Sequence, residues 1–176
     1  MFLSLHQRKI INIKSDGNCF FRAISYLLFN NEDEHWPLRN LIIRFENLNL
    51  DIFKERLTAI NKGTIEEHLM YLSRPNTWAT HVEVFAVATY FQAAIYFCID
   101  PPSQKWECHM PVTSSEKLRY PILEPPFDDN ISVSHFELVY HTQGHYSSVI
   151  DANTGILCRS PPPVIENHSY ENKVLQ

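Results

Sequence analysis

The sequence predicts an α+β protein, α/β in the broad sense, with a small central β-sheet flanked by helices. Three observations predict it. A strand-like run near the start is followed by a block of helical periodicities, and then by runs rich in β-branched and aromatic residues. The length of 176 residues fits one domain with a real core. The composition is 44% hydrophobic and 12% aromatic, as in globular chains and unlike disordered ones.

The elements follow in order. Residues 8–14, "RKIINIK", read as a short strand that leads into a polar turn at Ser15–Asn18. From Cys19 the apolar residues Phe20, Ala23, Ile24, Leu27 and Leu28 keep helical spacing, and Asn30 and Asn31 suit the end of that helix. A second helix follows Trp36 and Pro37, with Leu38, Leu41, Ile42 and Phe45 as its apolar stripe. "DIFKERLTAI" continues the helical block, and Gly63 punctuates it. Thr64 with Glu67, and Thr80 with Glu83, repeat a capping-box pattern that starts two more helices. The second of these, "EVFAVATYF", is apolar enough to be buried. "AAIYFCID", stopped by Pro101–Pro102, is a buried strand, and "KWECHM" is another. Residues 111–135 read as irregular. "HFELVYH" and "HYSSVIDA" form two strands around a turn at Thr142–Gly144. From "SPPP" at 160 the chain reads as a tail, so the expected division is a domain over 1–159 and a proline-rich tail or linker over 160–176.

The formal charge is −5 and the pI is near 6.0, with no basic stripe, which excludes nucleic acid as the main partner. No apolar run reaches the roughly 18 residues of a membrane span, and "MFLSLHQRKI" lacks a secretory h-region. A cytoplasmic setting is expected, with the nucleus also open. The four cysteines, Cys19, Cys98, Cys108 and Cys158, are then expected as free thiols. None of them has metal-ligand spacing, so neither a metal nor any other cofactor is expected.

Cys19 opens a helix behind "SDGN". Unpaired N–H groups at a helix start favour a thiolate, which at its free pKa of about 8.5 is only slightly populated at neutral pH. Backbone N–H groups of Gly17, Asn18 and Cys19 could receive an oxyanion, and Gly17 would let the main chain approach a substrate closely. A packing role for the thiol stays open on this evidence. Among nine histidines, His145 stands out, at the mouth of a strand beside Gly144. His6, His35, His68, His109 and His168 read as solvated, and His135 and His141 flank a strand.

Three stretches carry a resemblance: "DGNCFFRA", "WATHVEVFAVATYFQAAIYFC" and "FELVYHTQGHYSSVI". They resemble the signatures of the ovarian-tumour (OTU) cysteine proteases, which act as deubiquitinases, and they stand in the same order over about residues 8–151. The resemblance implies a papain-type fold, Cys19 as nucleophile, His145 as general base and Asp16 beside the oxyanion turn. Asp16 could equally form an Asx-turn or N-cap. Trp78 and Glu83 match a block that shapes the fold around the site. The implied reaction is hydrolysis, through a thioester, of the isopeptide bond after the Gly-Gly end of ubiquitin, by a monomer that needs no cofactor. Polyubiquitin and ubiquitin-like modifiers are the implied partners.

Two departures stand out. Ser147 occupies a position that is often Asn or Asp in the family. By strand alternation it shares a face with His145 and could orient its ring. Ala79–Thr80 replaces a glycine and a small or acidic residue. The first departure keeps an alternative in play: a catalytically weak or inactive module of the same fold that binds ubiquitin without cutting it.

Overall fold

The computed structural model describes residues 7–59, 63–99, 105–112, 118–141 and 143–162. Among them are five strands and five helices. β1 (Arg8–Ile11) leads to α1 (Cys19–Phe29), α2 (His35–Leu48), α3 (Leu50–Ala59), α4 (Ile65–Leu72) and α5 (His81–Phe91). Then come β2 (Ala94–Ile99), β3 (Lys105–His109), β4 (His135–His141) and β5 (His145–Asp151). The α+β expectation holds. Most of the expected "SPPP" tail, residues 163–176, lies outside the described residues, as do Asp100 and Thr142.

The sheet runs β1-β5-β4-β2-β3. Its pairings are antiparallel except for β2 with β4, which lie side by side and parallel. β1 pairs with β5 only from Arg8 to Ile11, opposite Asp151 to Ser148. The expected strand over 8–14 therefore ends early, and the chain peels away toward the turn before α1.

Strand alternation gives the sheet two unlike faces. Ile95, Phe97, Phe136, Leu138 and Ile150 join the main core with α1 and α5. α1 is held there by Phe20, whose ring meets Tyr146 at 5.3 Å, and by Ser148, whose hydroxyl donates to the Ala23 carbonyl at 2.9 Å. α5 is buried from Val82 to Thr89, as its sequence predicts. The opposite face carries a smaller cluster of Cys98, Trp106, Val139 and Val149. Beside it Arg8 grips Glu137 at 2.7 Å and donates to the Ser160 carbonyl at 3.0 Å. The first residues of the expected tail are thus fastened to the sheet.

Local signals explain the element ends. Both capping boxes form, at Thr64 with Glu67 and at Thr80 with Glu83. Thr80, one of the two departures, is therefore a helix cap. Asn30 closes α1 in the left-handed region at φ 57°, its N–H on the Tyr26 carbonyl. Gly144, at φ +79°, ends the three-residue loop between β4 and β5, where a left-handed residue is required.

His68 and His109 overturn the expectation of solvated rings, being 5% and 7% exposed. His109 packs on Phe97, with ring centroids 5.0 Å apart. His68, on α4, lies between two fully buried carboxylates, 3.4 Å from Glu46 of α2 and 2.8 Å from Glu83 of α5. Their donor atoms lie within 4.8 Å of one another, close enough to hold a metal ion. The His68 imidazolium lies between the two glutamates and ties three helices together.

Burial lowers the His68 pKa, but the two glutamates outweigh it and raise it to about 9. Burial, reinforced by Glu83, raises Glu46 to about 8 against the opposing pull of His68. Both shifts have the same sign: the folded state holds protons that the unfolded chain has released. The His68 contribution is fully present below its ordinary value of 6.5 and is lost as pH rises through about 9. Thermal melts should therefore show Tm falling from pH 6.5 to pH 9, more steeply in wild type than in Glu46→Gln. Equal slopes would contradict the trio as the source.

Candidate active site

The turn from β1 into α1 is organised by Asp16. Its carboxylate accepts the Asn18 N–H at 2.8 Å, an Asx-turn, and its carbonyl accepts the Cys19 N–H at 3.1 Å. Arg22, one turn into α1, donates Nε to both carboxylate oxygens at 3.2 and 3.0 Å. Burial disfavours the charged carboxylate, yet Arg22 and the Asn18 N–H outweigh it and hold Asp16 below its ordinary range. Of the roles the sequence allows Asp16, its bonds are those of the turn-former. The N–H groups of Asn18 and Cys19, expected to face an oxyanion, are engaged inside the turn.

Gly17 also differs from expectation. A Cβ there would sit 1.8 Å from the Asn76 carbonyl oxygen. The close approach that glycine permits in this structure is to the neighbouring loop. Asn76 itself is left-handed, at φ 59°. Its side-chain oxygen accepts from Asn18 Nδ2 at 2.8 Å, and its N–H donates back to Asn18 Oδ1 at 3.2 Å.

Arg39 of α2 locks this junction. It is 0% exposed. Nη2 donates to the Gly17 carbonyl at 3.2 Å, to Asn18 Oδ1 at 2.9 Å and to the Thr77 carbonyl at 2.8 Å. Nη1 donates to Thr77 Oγ1 at 2.9 Å and the Leu72 carbonyl at 3.3 Å. Its plane covers the Phe21 ring at 4.4 Å. Burial pulls the guanidinium down to about 10, with Glu83 and Asp16 opposing, so it stays charged at neutral pH. The sequence reading passes over Arg39 because it sits inside the apolar stripe of α2. One signal was available: Arg39, Ile42 and Glu46 share a helical face, which places two opposite charges among apolar residues.

Cys19 and His145 flank the mouth of β5. The thiol is 7% exposed. Burial pushes it up, the N–H groups of Tyr146 and Phe20 draw it down, and Asp16 pushes it up again, with a net rise. Tyr146 directly follows His145, so the thiol lies against the peptide next to the imidazole. Burial lowers His145, and the charge of His141 adds to this; the Ile13 carbonyl, Glu32 and Asp16 pull the other way. At neutral pH the resting pair is a neutral thiol and a neutral imidazole. Asp16 acts on both.

Ser147 does share a face with His145, but its hydroxyl lies 3.1 Å from His141 Nε2 instead. His145 Nδ1 is buried without a hydrogen bond. Neither expected orienter, Ser147 or Asp16, bonds the ring. Trp78 lies against Gly144, where a Cβ would come 2.2 Å from the indole, and it remains 55% exposed. An exposed aromatic therefore walls the turn that delivers His145.

The family model for OTU-like cysteine proteases matches residues 14–146. An ovarian tumour domain-containing deubiquitinating enzyme 7 of Arabidopsis thaliana is 30% identical over 159 residues. That match covers 90% of this chain and 37% of the relative, so the chain spans little more than a third of the relative's length. In structure, the OTU domain of OTUD1 superposes with a TM-score of 0.64 at 19% identity, covering 85% of this chain and 90% of that one. The Hazara virus OTU bound to ubiquitin gives 0.59 at 13% identity, covering 81% and 80%.

Gly17→Ala forces a Cβ into backbone, which cannot swing aside as a side-chain tip could. Tm should drop by about 4 °C or more for a domain of this size. An unchanged melt would mean that the Gly17–Asn76 contact yields freely.

Proposed function

The chain belongs to the family of OTU-like cysteine proteases, and on that footing we propose that it is a deubiquitinase whose nucleophile is Cys19 and whose general base is His145. The observation that carries this reading is the meeting at the mouth of β5: a thiol on the first residue of α1 lies against the Tyr146 N–H, beside His145.

The chemistry starts from the neutral pair. As the sulfur attacks the carbonyl carbon of the isopeptide bond, its proton passes to His145. The tetrahedral intermediate collapses, the C–N bond breaks, and the imidazolium gives its proton to the departing lysine amine. Water, deprotonated by His145, then cleaves the thioester and returns the thiol. The Asn18 and Cys19 N–H groups can face the oxyanion only if the Asp16 turn relaxes, so the Gly17–Cys19 segment is proposed to rearrange when substrate binds. Ubiquitin as substrate rests on family membership and on structural likeness to an OTU domain bound to ubiquitin. The exposed Trp78 suits one wall of a channel for a glycine-ended tail. A cytoplasmic or nuclear setting, monomeric action and use of ubiquitin-like modifiers complete the proposal.

A second reading has its own support. His145 has no orienting bond on Nδ1, and Cys19 is held as the weakly nucleophilic thiol. Both fit a module that binds ubiquitin and cuts it poorly. Hydrolysis of a ubiquitin-derived fluorogenic substrate separates the two readings.

Cys19→Ala should abolish turnover while leaving Tm near wild type, and His145→Ala should cost several orders of magnitude in kcat/KM. Activity near wild type in either variant would remove that residue from the mechanism. The pH profile carries a further expectation. His145 lies below its ordinary 6.5 and Cys19 above its ordinary 9.0, so kcat/KM should hold a plateau across at least that interval. A bell narrower than this would show that the resting pair is not neutral.

A further inference from the structure

The mouth of β5 leaves a question that the single backbone bond to the Ile13 carbonyl does not answer by itself: what fixes the plane of the His145 ring? A histidine's χ2 torsion is broad and roughly two-fold, so a ring held by one bond can still tilt unless something flat lies against it. Asp16 is engaged by Arg22 and the Asn18 N–H. Ser147 Oγ is placed on His141. His145 Nδ1 is buried and has no hydrogen bond.

What does lie against the ring is another imidazole. His141 and His145 form the last cross-strand pair of the β4–β5 hairpin. Their rings are 5.5 Å apart, with planes 19° from parallel. His141 is itself held: Ser147, 1% exposed and two residues beyond His145 on the same face, sets its hydroxyl 3.1 Å from His141 Nε2. A buried serine fixes one imidazole, and the flat face of that imidazole fixes the next. Gly144 closes the loop that brings the two strands into this register.

We propose that His141 is the positioning residue of the site: pinned by Ser147, its ring holds the His145 imidazole in the plane from which it takes the Cys19 proton. The inference rests on the reading of His145 as general base. The charged and titratable groups that act on His145 are His141 from β4, Asp16 from the turn before α1 and Glu32 from the loop after α1. Of these, His141 is the one stacked on the ring.

The test compares His141→Ala, His141→Phe and Ser147→Ala with wild type, each checked by thermal melting. Two readouts are taken: kcat and KM against pH on a ubiquitin fluorogenic substrate, and NMR of the His145 ring, its titration and its NOEs, in the free protein. His141→Ala should lower kcat by about tenfold or more with KM within about twofold, because a misaligned base weakens the transition state and not binding. His141→Phe restores a flat face and should recover to within about threefold of wild type. It also removes the neighbouring charge, so the His145 titration should move upward. Ser147→Ala should fall between the two. Wild-type kcat in His141→Ala, or no recovery in His141→Phe with an intact melt, would overturn the inference. Should wild type itself fail to cleave, the deubiquitinase reading falls and the NMR of the His145 ring alone decides. A ring orientation, read from NOEs, that is unchanged in His141→Ala would then overturn the stacking role, and one lost in His141→Ala but kept in His141→Phe would sustain it.

Discussion

The buried guanidinium of Arg39 is the interaction on which the site depends. The segment before α1 is a loop, and loops carry carbonyls with no partners of their own. Arg39 satisfies those of Gly17 and Thr77, together with the amide oxygen of Asn18, from a single Nη2. Each buried acceptor left without a donor would cost about 1–3 kcal/mol. The same charge is felt by Glu83, which is paired with His68. Arg39 and His68 thus both face Glu83, with the largely protonated Glu46 beside His68, in one buried group that secures α2, α4 and α5 behind the turn.

The other half of the site is set by the sheet. α1 reaches β5 through Phe20 on Tyr146 and Ser148 on Ala23. Strand alternation then turns His145, Ser147 and His141 toward the opposite face. The thiol and the imidazole come from opposite faces of the sheet and approach only where β5 begins and the sheet ends. That geometry makes the hairpin loop critical. Gly144 is needed both for its left-handed backbone and for the room it leaves to Trp78.

Elements with a local cause could be read in the sequence. Thr64 with Glu67 and Thr80 with Glu83 mark helix starts because a cap needs only four consecutive residues. The strands at 135–141 and 145–151 show themselves by composition and by the Gly144 turn. Cys19 and His145 stand out because a thiol at a helix start and a histidine at a strand mouth are local patterns too. The parallel pairing of β2 with β4 has no local cause, since residues 100–134 separate the two strands in the chain. Long-range partners were equally hidden. Gly17 reads as open to substrate until Asn76 is seen against it, Ser147 reads as the partner of His145 until His141 is seen to take its hydroxyl, and His68 reads as solvated until Glu46 and Glu83 close around it.

The state of the Cys19 thiol has a consequence for its durability. Peroxides and alkylating agents attack thiolates, and sulfenic acid forms fastest on exposed, low-pKa cysteines. A cysteine that is 7% exposed, with its thiol raised above its ordinary pKa, presents neither property. Small electrophiles and oxidants therefore meet a poor target at Cys19. The fold thereby keeps this sulfur unreactive at rest.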